Sequence, residues 1–109
     1  MAVKNSMTRT YTESADAIFR VLKSPDFSKC IDAAFYEEAI LPDGNEFRYK
    51  RLTTATRYGR NFFILVKAAG EEVTVSVTTQ SRKVTVLFDT AWKRETTRAF
   101  EFLDMLLRK

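Results

Sequence analysis

The chain has 109 residues, 45% hydrophobic and 29% charged, with a net charge of +4 at neutral pH and no histidine. Two prolines and three glycines exclude a collagen-like or low-complexity chain, and the length fits one α+β-sized domain, residues 1–109, burying roughly 60 to 70% of its unfolded surface. The lone cysteine, Cys30, excludes an intramolecular disulfide and a cysteine-built zinc site, and it leans towards a reducing compartment.

Residues 1–10 contain no apolar core of the signal-peptide kind, and the longest unbroken apolar run, residues 62–66, is far too short to span a membrane. A cytoplasmic protein is expected, with residues 1–6 disordered. Residues 7–12 suit a short strand, since Thr8, Thr10 and Tyr11 favour extended backbone. Ser14 can cap a first helix in which Ala15, Ile18, Val21 and Leu22 form a stripe ending near Lys23.

A second helix begins at Ser24, with Pro25 at its first position and Asp26 near the positive end of its dipole. Phe27, Ile31, Ala34 and Phe35 share one face, and the helix is expected to end by Leu41, before the turn chemistry of Leu41-Pro42-Asp43-Gly44. Residues 33–40 also read as extended.

Four strand-like segments follow. Residues 46–56 alternate loosely, with Phe47 and Tyr49 on one face and Arg48 and Lys50 on the other, and a turn is expected at residues 58–60. Residues 62–68 are apolar on both faces except for Lys67, as in a central strand. Ala69-Gly70-Glu71 leads into residues 73–79, where Val73, Val75 and Val77 alternate with Thr74, Ser76 and Thr78. A hairpin turn at residues 79–82 then leads to a strand at 83–88 with Val84, Val86 and Phe88 inward.

Residues 91–109 read as a terminal helix capped by Asp89 or Thr90, with Trp92, Ala99, Phe100, Leu103, Leu106 and Leu107 as its stripe. Asp104 and Arg108 stand at the favourable i, i+4 spacing. The expected fold is therefore α+β: an antiparallel sheet of four or five strands, with two N-terminal helices and one long C-terminal helix packed on one face.

Thr10-Tyr-Thr-Glu-Ser-Ala-Asp-Ala-Ile-Phe-Arg-Val-Leu-Lys-Ser-Pro-Asp-Phe resembles the opening of the Bet v 1-like superfamily, also called SRPBCC or START-related proteins. There a strand leads into a small-residue cap, an Ile-Phe or Val-Phe pair, a Leu and a Pro-Asp break. Phe100-Glu-Phe-Leu-Asp-Met-Leu-Leu resembles the family's closing helix. The resemblance implies a sheet curled around that helix to hold an apolar ligand, in a shortened form with about five strands instead of seven. It implies no catalytic residues, because the family has no universal ones.

Charge is unevenly spread. Residues 1–46 carry a net −3, residues 47–83 a net +6 and residues 84–109 a net +1. A basic sheet surface attracts nucleic acid, anionic lipid or an acidic protein. Alternation places Arg48, Lys50, Phe63, Leu65, Lys67 and Lys83 on the open face, where cations can follow a phosphate backbone while bases stack on Phe63. The same residues also describe an ordinary solvated face, or a homodimer contact through Phe63 and Leu65. Lys93, Arg94 and Arg98 form a second anion candidate at the start of the terminal helix, and equally an ordinary exposed helix face with Glu95 and Glu101.

Enzymatic signatures are absent from the sequence. There is no histidine to act as a neutral-pH base, and Cys30 has no identifiable activating partner. Glu37-Glu38 and Glu71-Glu72 are adjacent pairs whose side chains do not converge, and isolated glycines make no phosphate loop. The leading expectation is a non-enzymatic binding domain with no catalytic residue, metal or cofactor, its partner nucleic acid or an acidic protein. The alternatives are an apolar ligand held by Val75, Val86, Phe100 and Leu103, and a homodimeric interaction subunit.

Overall fold

The computed structural model describes residues 3–51, 60–81 and 91–109. It is an α+β fold in the order β1 (Val3–Tyr11), α1 (Ala15–Leu22), α2 (Pro25–Ile31), β2 (Ala34–Leu41), β3 (Gly44–Lys50), β4 (Arg60–Ala69), β5 (Glu72–Ser81) and α3 (Ala91–Leu107). The five strands form one antiparallel sheet in the order β1-β5-β4-β3-β2.

The helix starts follow the sequence closely. Ser14 holds extended backbone and its hydroxyl accepts from Ala17 N–H at 3.2 Å, which satisfies one of the free amides of α1. Ser24 serves both helices: its hydroxyl donates to the Val21 carbonyl at 2.7 Å and accepts from Phe27 N–H at 3.2 Å. Ile18, Leu22, Phe27 and Ile31 are buried, so α1 and α2 both turn their apolar faces into the core.

The end of α2 differs from the expected helix to Leu41. It stops at Ile31, where Asp32 adopts the left-handed region (φ 54°, ψ 47°) and Ala33 N–H reaches back to the Ser28 carbonyl at 3.1 Å. Residues 34–41 are strand β2, the extended alternative. The hydrogen bonds offered by β3 outweigh a helical stripe that Ala34 and Phe35 would have continued. A bulge between Phe35 and Glu37 shifts the register, with Tyr36 the extra residue, so that Phe35 faces the helices and Glu37 the open side.

Two other expectations give way. Strand β1 begins at Val3 and pairs with β5 from Val3 opposite Ser81 to Tyr11 opposite Val73, so residues 3–6 are strand where disorder was expected. Likewise residues 79–81 continue β5, paired on both sides with β1 and β4, where a hairpin turn was expected. The expected strand at 83–88, the turn at 58–60, the end of the 46–56 strand from residue 52 onward, and the α3 cap at Asp89 or Thr90 lie outside the described residues.

Two glycines are required by geometry. Gly70 turns the β4–β5 hairpin at φ 64°, and a Cβ on Gly44 would run into the Val66 carbonyl of the neighbouring strand. The core lies between the sheet and all three helices. It joins Phe47 and Tyr49 of β3, Phe62, Ile64 and Val66 of β4, and Val73, Val75 and Val77 of β5 to Ala99, Phe100 and Leu103 of α3. Tyr49 is buried, which pushes its hydroxyl pKa up, and it donates to the Leu22 carbonyl at 2.6 Å.

Candidate functional site

The sheet has a helix-covered face and an open face, and the register sorts the candidate residues between them. On the open face Arg48 lies opposite Phe63, Lys50 opposite Asn61, and Lys67 opposite Thr74. Phe63, Leu65 and Lys67 are half-buried and Lys50 is exposed. Beside them runs a double column of hydroxyls, in which Ser6 bonds Thr78 at 2.9 Å and Thr8 bonds Ser76 at 2.8 Å.

The cations of this face are not equivalent. Arg48 donates to Glu46 at 2.7 Å and to Glu37 at 2.9 Å, and the hydrogen bond to Glu46 is the main cause of its raised pKa. Two carboxylates therefore already answer its charge. Lys50 and Lys67 make no ion pair among the described residues. Lys83 lies outside the described residues.

Lys93, Arg94 and Arg98 are exposed on α3. Lys93 lies 5.7 Å from the centre of the Trp92 ring and Arg98 lies 5.6 Å from that of Phe102, so each rests on an aromatic of its own helix. They do not share a face with the sheet cations, which lie beyond the layer that α3 covers.

The apolar set converges in the interior. Val75, Phe100 and Leu103 are buried in one cluster between β5 and α3, while Val86 lies outside the described residues. That interior is uneven along its length. Towards the C-terminal end of α3 it is lined by Val73, Val75, Phe100 and Leu103; towards the other end the buried positions include Thr79 on β5 and Thr96 on α3, both 0% exposed. The Thr96 hydroxyl has no hydrogen-bond partner among the described residues.

Beside Thr96, Arg51 closes that end. Its guanidinium donates to Glu95 of α3 at 2.7 Å and to the carbonyls of Ile31 and Asp32 at 2.8 and 3.1 Å, and lies 5.4 Å from the centre of the Phe62 ring. At the opposite end Tyr11 donates to Asp104 at 2.7 Å, and Arg9 lies 3.6 Å from the same carboxylate. Burial and then the bond to Asp104 push the Tyr11 pKa up. Asp104 thus meets residues of β1, where the sequence pairing pointed to Arg108.

Sequence reasoning missed Arg51 and Thr96, and it placed Glu95 on an exposed helix face, whereas its side chain is only 22% exposed and pairs with Arg51. Thr96 had a usable signal, since it lies three, four and seven residues before Ala99, Phe100 and Leu103 and so falls on the buried stripe. Arg51 had none, being one of eight Lys or Arg residues between 47 and 83.

Among the described residues, no helix is long and apolar enough to cross a membrane. No protein-family model matches the chain, and no curated protein matches it in sequence. Solved structures do. Mll3558 protein from Rhizobium loti aligns over 97% of both chains at 13% identity with a TM-score of 0.64. Ara h 8.0201 aligns over 98% of this chain and 96% of its own at 10% identity, TM-score 0.57. The Zhui aromatase/cyclase from Streptomyces sp. R1128 aligns over 99% and 86% at 15% identity, TM-score 0.51. At such identities the likeness speaks for fold alone: the chain shares its overall architecture with these three structures.

Proposed function

We propose that the protein is a binding domain that holds a small, mainly apolar molecule between the sheet and α3. The observation that carries this reading is the Thr96 hydroxyl, fully buried on the stripe of α3 that carries Ala99, Phe100 and Leu103 and without a hydrogen-bond partner among the described residues. A core built only for packing gains nothing from burying that hydroxyl, whereas binding pockets combine apolar walls with a few placed polar groups. Val75, Phe100 and Leu103 form the apolar wall. The likeness to Ara h 8.0201 and to an aromatase/cyclase supports the reading at the level of fold. No residue is assigned a catalytic role.

A thermal-shift titration with small aromatic and lipid-like molecules tests it. A midpoint that keeps rising with the logarithm of ligand concentration is expected of a ligand that binds only the folded chain. An unchanged midpoint across the panel at millimolar concentration overturns the reading.

A second reading is favoured by Lys50 and Lys67, which share the open face with Phe63 and have no acidic partner among the described residues. In it, single-stranded nucleic acid or an acidic protein lies across this face, with Arg48 contributing less because Glu46 and Glu37 hold it. Titration with short oligonucleotides at two salt concentrations should give a steep negative slope of log affinity against log salt, lost in Lys50→Glu/Lys67→Glu. No binding at low salt would leave the face as solvated surface.

A further inference from the structure

Resting on the ligand reading above, we propose that Thr96 is the polar anchor of the interior site, and that it selects a neutral molecule whose apolar body carries one hydroxyl or carbonyl oxygen. Thr96 is 0% exposed and lies on the stripe of α3 that includes Ala99, Phe100 and Leu103, so its side chain enters the core. A helical threonine ordinarily bonds a carbonyl in the preceding turn. Here the hydroxyl makes no hydrogen bond among the described residues.

Most buried polar side-chain atoms have a partner, and valine would fill the same space without needing one. A hydroxyl kept at this position is therefore matched to a group that arrives with the ligand. Because a hydroxyl both donates and accepts, it serves a carbonyl oxygen or another hydroxyl equally well.

The charge of the partner is also constrained. A buried ion needs a counter-charge. Among the described residues, Arg51, which meets α3 at Glu95 beside Thr96 in the chain, is already engaged by Glu95 and by the Ile31 and Asp32 carbonyls. A carboxylate or phosphate placed beside Thr96 would have to displace those bonds. A neutral oxygen needs only the hydroxyl.

The test compares a matched pair of probes, naphthalene and 2-naphthol, by calorimetric or thermal-shift titration of the wild-type chain, Thr96→Val and Thr96→Ser. The wild type should bind 2-naphthol about tenfold more tightly than naphthalene, the worth of one good hydrogen bond. Thr96→Val should abolish that preference and leave naphthalene affinity within about twofold, and Thr96→Ser should restore it. A preference for 2-naphthol that survives in Thr96→Val overturns the anchor and leaves the ligand reading standing. Loss of naphthalene binding in folded Thr96→Val also overturns it, since the residue would then act through packing. Failure of the wild type to bind either probe removes the ligand reading and the anchor together.

Discussion

The two ends of α3 are held to the rest of the fold by arginine–carboxylate pairs that look alike on paper and differ in setting. Arg51–Glu95, at the N-terminal half, has side chains only 14% and 22% exposed, and the same guanidinium closes the C-terminal carbonyls of α2. Arg9–Asp104, near the C-terminal end, is 38% and 27% exposed at a looser 3.6 Å, and the carboxylate takes its shorter bond from Tyr11. Arg51 joins three elements through one side chain. Arg9 adds to a contact that Tyr11 already makes, and its guanidinium lies 4.6 Å from the centre of the Phe100 ring. The contrast teaches that the energetic weight of an ion pair follows from what else depends on it.

The largest expected effect breaks the first clamp. Arg51→Met should lower the unfolding free energy by about 3 kcal/mol, because it leaves Glu95 without its 2.7 Å donor and two carbonyls of α2 without theirs. The urea midpoint measures this, and a loss near zero would place Arg51 among ordinary surface charges. Tyr11→Phe should lose about 1.5 kcal/mol, the range for a hydrogen bond to a charged group, since the phenol donates to Asp104 from a buried ring. Arg9→Met should lose about 1 kcal/mol or less, from a half-exposed pair and its contact with Phe100. Raising the salt concentration should shrink the Arg9 effect and leave the Arg51 effect nearly intact. Equal salt responses would erase the distinction between the two ends.

The smallest effect concerns a third pair, Lys23–Glu38 at 2.7 Å, which lies away from α3 and serves as a baseline. The bond to Lys23, followed by that from Asn45, lowers the Glu38 pKa below its ordinary 4.5. Its contribution to stability is therefore complete above pH 4.5 and is lost as the pH falls through the lower folded value. Chemical denaturation between pH 3 and 6 should show a shallower acid loss in Lys23→Met than in the wild type, and identical slopes would remove Glu38 from the account.

Much of the architecture could be read from local pattern, because local pattern is what builds it. Ser14 and Ser24 announce helix starts through their own side chains, and the alternation at Val73, Val75 and Val77 places those valines inward. The signal fails where a choice is settled at a distance. Residues 34–41 satisfy a helical stripe and a strand alike, and only the presence of β3 alongside decides for β2. The hydroxyl pair Ser6–Thr78 and the backbone pairing of β1 with β5 likewise join residues more than sixty positions apart, which nothing within residues 1–6 could announce. The candidate site was legible in part. Val75, Phe100 and Leu103 follow from periodicity, and Thr96 occupies the same stripe, but a hydroxyl breaks the apolar pattern that marks a core position. Arg51 and the true partners of Asp104 depend on how α3 lies over the sheet, and the sequence holds no record of that crossing.

The bulge at Tyr36 has a consequence for how the molecule behaves in company. Among the described residues β2 is the last strand of the sheet on its side, and a terminal strand offers unpaired amides and carbonyls to any extended chain that comes near. On this strand Ile40 is 83% exposed and Tyr36 is 53% exposed, so apolar side chains accompany that free backbone edge. A regular strand with those groups would be a template for aggregation. The shift between Phe35 and Glu37 interrupts the repeat midway, and Glu37 and Glu38 follow immediately, so an incoming strand meets a break in register and two acids in succession. Removing Tyr36 would straighten that edge, and a rise in self-association on deletion would show how much one supernumerary residue protects it.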